Sequence, residues 1–447
     1  MKYGALRCPF SFSPCFISER VSVNLKIRLA LWQLSVLLMF LSAPAHALED
    51  WLSLPEGEIS RITFGSCAKQ WEPQPIWNSV ASAEPDLFLF IGDAIYGDWH
   101  GDKPFTPTRE SLEADWEKLA AIPEFAAVRK QLPFMATWDN HDYGSHNGGA
   151  DFELKEMTKE VFLDFFGEPK DSERRKTPGI YDAKIFGPPG RRVQVILLDT
   201  RWFRSPFKKD QRSAEERKAI GKVGNYIGNT DNNTTILGKT QWQWLAEQLQ
   251  QPAELRLIIS STQIIPDQKG MDEWGAFPHE RLRLFELIRS SGAEGVLLVS
   301  GNVHFSELST IENINNPLYE ITASGMTHNN PAYAAAPNRY RVAGPYVDHN
   351  VGLIEIDWEA KPSPEISLQI LGADGSAGLE QEMLLSSLQQ AKPMNCTDPR
   401  PQLCTMDYRP VCAKKSDGTY RTYANGCGAC SDSDVVEYLA GECSDRQ

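Results

Sequence analysis

From Arg61 to Leu371 the chain alternates short apolar runs with segments whose apolar residues recur every third or fourth position. The runs RITFGS (61–66), DLFLFIG (86–92), FMATW (134–138), VQVILLD (193–199), LRLIIS (255–260), GVLLVSG (295–301), LYEITAS (318–324) and VGLIEID (351–357) are rich in β-branched and aromatic residues and predict strands. Helical spacing predicts helices over 111–120, 152–166, 240–250 and 279–290, the last opened by Pro278, whose fixed φ suits a first turn. Strands separated by helices, followed by strands without helices between them, imply a layered α/β sandwich with mixed sheets. Beyond Leu371 the composition turns small and polar, with one short helix expected within 379–390. Residues 373–392 therefore read as a linker, and a domain boundary falls near 390–395.

A chain of 447 residues holds one large domain and something smaller. Its 45 Lys and Arg stand against 59 Asp and Glu, a net charge of -14, which excludes a nucleic-acid backbone as the main partner. Arg20, Lys26 and Arg28 precede the apolar run LALWQLSVLLMFL (29–41) and the small-residue stretch SAPAHA. That order predicts a secretory signal over 1–47, cleaved after Ala47. The run is too short to cross a bilayer comfortably and no later segment approaches a span, so the expectation is a secreted or periplasmic protein without a transmembrane segment. Of the nine cysteines, Cys8 and Cys15 leave with the leader and six crowd into 396–443, which isolates Cys67. In an oxidising compartment a lone thiol is a buried inert residue, an intermolecular bridge or a metal ligand.

Polar residues recur just past the predicted strands. FGSC places Cys67 after the first, GDAIYGD places Asp93 and Tyr96 after the second, WDNHD follows the third, and GNVH places Asn302 and His304 after a late one. Ligands of α/β sheets sit at this edge, where loops leaving parallel strands converge. An aspartate such as Asp93 can bridge two cations, while Asn140 offers a neutral oxygen, His304 an imidazole nitrogen and Cys67 a thiolate. A phenol loses its proton only near pH 10 in water, so ligation by Tyr96 calls for a strongly acidic cation, of which ferric iron is the obvious one.

The blocks FGSC, GDAIYGD, ATWDNHDYG, VILLDTR, QWQWL and VSGNVHFSEL together resemble the alkaline phosphatase D (PhoD-like) branch of the calcineurin-like metallophosphoesterases. The resemblance covers about Arg61 to Asp357. It implies a four-layer αββα sandwich within 48–372, a metal cluster of ferric iron with calcium or another divalent metal, and a phosphate mono- or diester substrate. Carried over, the iron ligands fall on Cys67, Asp93, Tyr96 and His304, with Asp93 bridging to a second site at Asn140 and Asn302. His141 becomes the imidazole that meets the transition state, with Asp142 orienting it through its other ring nitrogen. Arg201 of LDTR is either a phosphate contact or a structural salt bridge. Asn302 stands where the branch usually has an aspartate; it is either a weaker ligand or a hydrogen-bonding residue with no metal contact.

About fifty residues at the C-terminus, 393–447, cannot build much core, so three disulfides are the expected staple; spacing alone leaves fifteen pairings open. CTMDYRPVC, TYANGCGAC and GEC resemble the Kazal family of serine-protease inhibitors, which implies Cys396 with Cys430, Cys404 with Cys427 and Cys412 with Cys443. It also implies that Met406 enters a protease specificity pocket, unless the module is a spacer. Two readings of the whole chain follow: an exported metal phosphoesterase with an accessory tail, or a secreted serine-protease inhibitor whose large domain is a degenerate scaffold. The joint presence of Cys67, Asp93, Tyr96, Asn140, His141 and His304 favours the enzyme.

Overall fold

A computed structural model describes residues 51–443 apart from 102, 314–315, 390–392 and 441; the expected leader, 1–47, lies outside the described residues. In chain order the strands of the large domain are β1 (Arg61–Gly65), β2 (Leu87–Ile91), a small hairpin of β3 (Trp99–His100) and β4 (Lys103–Pro104), β5 (Phe134–Thr137), β6 (Asp182–Phe186), β7 (Val193–Leu197), β8 (Leu255–Ser260), β9 (Val296–Ser300), β10 (Ser306–Asn313), β11 (Asn316–Thr322), β12 (Arg341–Tyr346), β13 (Asn350–Asp357), β14 (Glu365–Gly372) and β15 (Ala377–Leu384). One six-stranded sheet runs β15-β14-β13-β1-β2-β5 and a seven-stranded sheet runs β12-β10-β11-β9-β8-β7-β6. β1, β2 and β5 are parallel, as are β7, β8, β9 and β11, so both sheets are mixed with a parallel centre.

Side-chain alternation explains why the central strands are apolar throughout. On β2, Leu87, Leu89 and Ile91 enter the core between the sheets, where they join Ile62 and Phe64 of β1 and Val195, Leu257 and Val299 of the facing sheet. Phe88 and Phe90 point the other way, onto a helical layer carrying Trp77, Trp116, Phe125 and Phe162. Ile196, Ile258 and Leu298 meet a second helical layer through Trp242, Leu245, Leu284 and Ile288. The result is four layers, helix, sheet, sheet, helix, in which burial of each large apolar side chain contributes about 1.5–3 kcal/mol. The expected helices occupy Arg109–Ala120, Lys155–Phe165, Gly238–Gln248 and Pro278–Ser291, the first capped by Thr108 Oγ1 accepting from Ser111 N at 3.2 Å.

The segment 373–392 is not the expected linker. It supplies edge strand β15, paired antiparallel with β14 from Glu365 opposite Leu384 to Leu371 opposite Ala377, then a short 3-10 turn at Leu385–Leu388. Most of β15 faces solvent, so Glu380, Gln381 and Glu382 interrupt the apolar run that a central strand would show. Leu385 and Leu388 then seal the core between the sheets.

In the tail, β16 (Met394–Asn395), β17 (Val411–Lys415), β18 (Tyr420–Tyr423) and β19 (Val435–Ala440) form a sheet ordered β16-β19-β17-β18, with one short helix at Gly426–Ser431. Its buried core holds little more than Val411, Ala413, Ala429 and Val435. Disulfides join Cys396 to Cys430, Cys404 to Cys427 and Cys412 to Cys443. This is the pairing that the Kazal resemblance implies, and each bridge constrains the unfolded chain by about 3–4 kcal/mol.

Gly352 faces Phe64 across the β1–β13 pair, and a methyl group on it would overlap the Phe64 ring inside the core. Gly352→Ala is expected to destabilise the large domain by about 1–3 kcal/mol, the scale of overpacking, read as a lowered midpoint in urea denaturation.

Candidate metal centre

The carboxyl ends of parallel strands from both sheets meet at one edge. Cys67 follows β1, Asp93 and Tyr96 follow β2, Asn140, His141 and Asp142 follow β5, and Asn302 and His304 follow β9. Cys67, Asp93, Asn302 and His304 have φ of 63°, 52°, 70° and 59°, four of the six positive-φ residues other than glycine among the described residues. Each left-handed side chain costs on the order of 1 kcal/mol and persists only where its surroundings hold it. Here Asp93 O accepts from Ala68 N at 2.8 Å, and Ser324 Oγ accepts from His304 N at 2.8 Å.

Those strained turns aim donors at one another. Cys67 Sγ lies 3.6 Å from Asp93 Oδ2 and 3.1 Å from Ser324 Oγ, and donor atoms of Cys67, Asp93 and His304 all fall within 4.8 Å of one another. Tyr96 Oη is 3.0 Å from His328 Nε2, which in turn is 3.3 Å from His304 Nε2. Asn140 Oδ1 is buried without a hydrogen-bond partner. Burial pushes the Cys67 thiol, the Asp93 carboxyl and the Tyr96 phenol upwards and takes His304 down to about 3. A bound cation reverses that preference by favouring the anionic donors. A thiol, a phenol, a carboxyl and an imidazole converging beside an orphaned amide oxygen fit a metal ion, since buried polar atoms are otherwise almost always paired.

One expected role changes, and two left open are narrowed. Asp142 does not touch the His141 ring: its carboxylate accepts from the backbone N–H of Asp93 at 2.5 Å, Ile95 at 3.0 Å and Asp139 at 3.0 Å, so it clamps the turn after β2 to the turn after β5. The ring partner is Asp98, whose Oδ1 is 2.6 Å from His141 Nδ1, while Tyr96 stacks on the imidazole with centroids 4.0 Å apart. Arg201 is no phosphate contact. Its side chain is 0% exposed, bonded through Nε to Asp139 Oδ1 at 2.8 Å and through Nη1 to Asp272 Oδ2 at 2.5 Å. Asn302 donates its amide hydrogen to Asp272 O at 3.1 Å, which turns that side chain partly to the protein.

Sequence reasoning missed Asp98, His328 and Asp272. The first stands in the same GDAIYGD block as Asp93. The second follows β11, which is parallel to β9, so the rule that found His304 applies to it equally. Asp272 lies on a loop and carries no such signal. In the tail, Met406 is fully exposed on an irregular loop, and Asn425 Nδ2 donates to the carbonyls on either side of it, Thr405 O at 2.9 Å and Asp407 O at 3.0 Å.

Two facing mixed sheets with donors at the carboxyl ends of their parallel strands define a metallophosphoesterase sandwich. The chain belongs to the PhoD-like phosphatase family, whose model matches residues 62–343. Alkaline phosphatase D of Bacillus subtilis (strain 168) is 21% identical over 294 residues, covering 58% of this chain and 48% of that protein. The chain thus spans about half the length of this curated relative. A solved structure of PhoD superposes with a TM-score of 0.54 at 15% identity, over 76% of this chain and 75% of the other, and shares the fold. GAP50, the anchor in the inner membrane complex of Plasmodium, superposes with a TM-score of 0.45 at 10% identity, over 73% of this chain and 89% of its own.

Removing the Arg201 charge would strand Asp139 and Asp272 in the interior. Arg201→Met is expected to cost about 3–5 kcal/mol, the scale of breaking one side of a buried ion pair, seen as a large drop in the urea midpoint. A variant as stable as wild type would show that these carboxylates find other partners.

Proposed function

We propose that the protein is an exported metal-dependent phosphoesterase that hydrolyses phosphate mono- or diesters. The observation that carries this reading is the convergence of Cys67, Asp93, Tyr96 and His304 beside the unpartnered Asn140 oxygen, with His141 at the same edge. By family likeness Cys67, Asp93, Tyr96 and His304 would hold ferric iron. Asp93, Asn140 and Asn302 would face calcium or another divalent metal. When bound, such a pair polarises the phosphoryl oxygens and lowers the pKa of an attacking water.

The chain's own residues do the rest. Asp98 engages His141 Nδ1, and burial raises its carboxyl to about 7, so the pair can hold two protons: Nε2 gives its proton to the leaving oxygen while the Asp98 proton passes to Nδ1. Asp142 fixes the two turns that carry Asp93 and His141, whose backbone N–H donates to Asp93 Oδ1 at 3.1 Å. Buried side chains and the Tyr96 stack keep water from the imidazole. Three disulfides in a small module fit an oxidising compartment, in keeping with the leader expected over 1–47. No helix among the described residues is long and apolar enough to cross a membrane.

Purified protein should contain iron and show a visible charge-transfer band that Cys67→Ser and Tyr96→Phe each diminish. His141→Ala should retain its metals and lose about two to four orders of magnitude in hydrolysis of a chromogenic monoester and diester. A colourless, iron-free protein that hydrolyses both esters normally refutes the iron assignment. Metal loss or unfolding in His141→Ala returns that residue to a structural role.

A second reading concerns the tail alone, as a serine-protease inhibitor. It is favoured by Met406, fully exposed and bracketed by the Asn425 bonds and by the disulfide from Cys404 to Cys427. A loop held this way loses little entropy on binding. A long unbranched apolar side chain suits chymotrypsin-like and subtilisin-like pockets, whereas trypsin-like pockets demand a cation. Titrating the full chain against all three types should inhibit the first two, and Met406→Lys should transfer inhibition to trypsin. Absence of inhibition in every case leaves a spacer module.

A further inference from the structure

Two residues past Cys67 the chain makes a tight turn. Lys69 N donates to Thr327 Oγ1 at 2.9 Å, and Lys69 O accepts from Glu72 N at 3.0 Å and from Gln74 Nε2 at 3.1 Å. The backbone is thus pinned, and it presents two side chains that the chemistry above does not use. The Lys69 ammonium lies 6.0 Å from the centre of the Trp71 ring and 5.9 Å from that of Tyr96, close enough to be held by both π faces. Among the described residues it has neither an ion pair nor a hydrogen bond of its own. Trp71 meets Tyr96 edge to face at 6.1 Å and remains 41% exposed.

An exposed indole alone means little. This one is separated from the donor cluster by a single side chain, Tyr96, whose hydroxyl meets His328 while its ring meets Trp71. A cation without an ion pair and a partly exposed indole, side by side at the rim of the donor cluster, match the two halves of one ligand: an anionic phosphoryl group and a flat substituent on it.

We infer that Lys69 and Trp71 form a substrate-recognition arm that selects phosphate esters whose alcohol carries a planar aromatic ring. Lys69 pairs with a non-bridging phosphoryl oxygen, and Trp71 stacks on the ring. The inference rests on the phosphoesterase reading for its biological meaning, while the contact itself is measurable without turnover.

Binding of phenylphosphonate and methylphosphonate to the full chain, purified with its metals, separates the two. Calorimetry should give phenylphosphonate about tenfold tighter binding, the effect of one aromatic stack. Trp71→Ala should bring the ratio of the two dissociation constants near one, and Trp71→Phe should restore most of it. Lys69→Met should weaken both ligands by a similar factor and leave the ratio intact. A wild-type ratio near one, or a ratio that survives Trp71→Ala, overturns the proposal, and Lys69→Met binding both ligands as wild type does removes Lys69 from it. Phenyl and ethyl phosphate hydrolysis is measured alongside. A protein that hydrolyses neither ester yet prefers the phenyl ligand defeats the phosphoesterase reading alone, and one that hydrolyses both without preference defeats this arm alone.

Discussion

The buried guanidinium of Arg201 ties the structure together where the site is built. It leaves β7 in one sheet and bonds Asp139, which follows β5 in the other, while also bonding Asp272. Ser261, after β8, adds a hydroxyl to the same Asp139 oxygen at 2.5 Å. Donors come from both sheets: Cys67, Asp93, Tyr96, Asn140 and His141 from one, Asn302, His304 and His328 from the other. Apolar packing between the sheets is non-directional and tolerates sliding, whereas a fully buried, directionally hydrogen-bonded ion pair does not. Such a pair contributes little net stability against its desolvation. What it contributes here is relative placement of the two strand sets.

Within that frame, strain and clamping work together. Left-handed turns at Cys67, Asp93, Asn302 and His304 bend the chain sharply as it leaves each strand, so that donors point back across the edge. Asp142 then fastens the second of these turns through three backbone N–H groups. A carboxylate without a side-chain partner is therefore an architectural element in this site, and the neighbouring imidazole takes its partner, Asp98, from the β2 side.

How far the sequence discloses this differs by element. β1, β2, β5, β7, β8, β9, β11 and β13 are legible because burial on both faces leaves near-continuous apolar runs. β10 is hidden because its buried positions are polar: Glu307 accepts from Lys269 at 3.1 Å, Gln263 at 2.8 Å and Asn338 at 3.0 Å, which satisfies a carboxylate in the interior but erases the apolar pattern. β15 is hidden for the opposite reason, exposure at a sheet edge. Site residues follow the same logic. Those placed by their position after a strand, such as Cys67, Asp93, Tyr96, His141 and His304, are readable one at a time. Pairings between distant segments are not: Asp98 stands 43 residues from His141, and Asp272 stands 71 from Arg201. Chemistry next door in sequence, Asp142 beside His141, gave the plausible and incorrect partner.

Charge balance favours positive charge at this edge. Asp93, Asp98, Asp139, Asp142 and Asp272 are all buried, and the guanidinium of Arg201 is the cation bonded to members of the group. Asp139 and Asp142 both raise the Asp93 carboxyl, beyond the effect of burial. An assembly of this kind is stable only if several members hold protons or if positive charge enters. Protons would lower the negative charge, but they give Asn140 Oδ1 no partner in the arrangement seen. Metal ions satisfy both requirements at once, supplying the missing charge and a partner for the orphaned oxygen. The same residues that look over-charged and under-bonded in the protein alone therefore fit a metal ion at the edge where the two sheets meet.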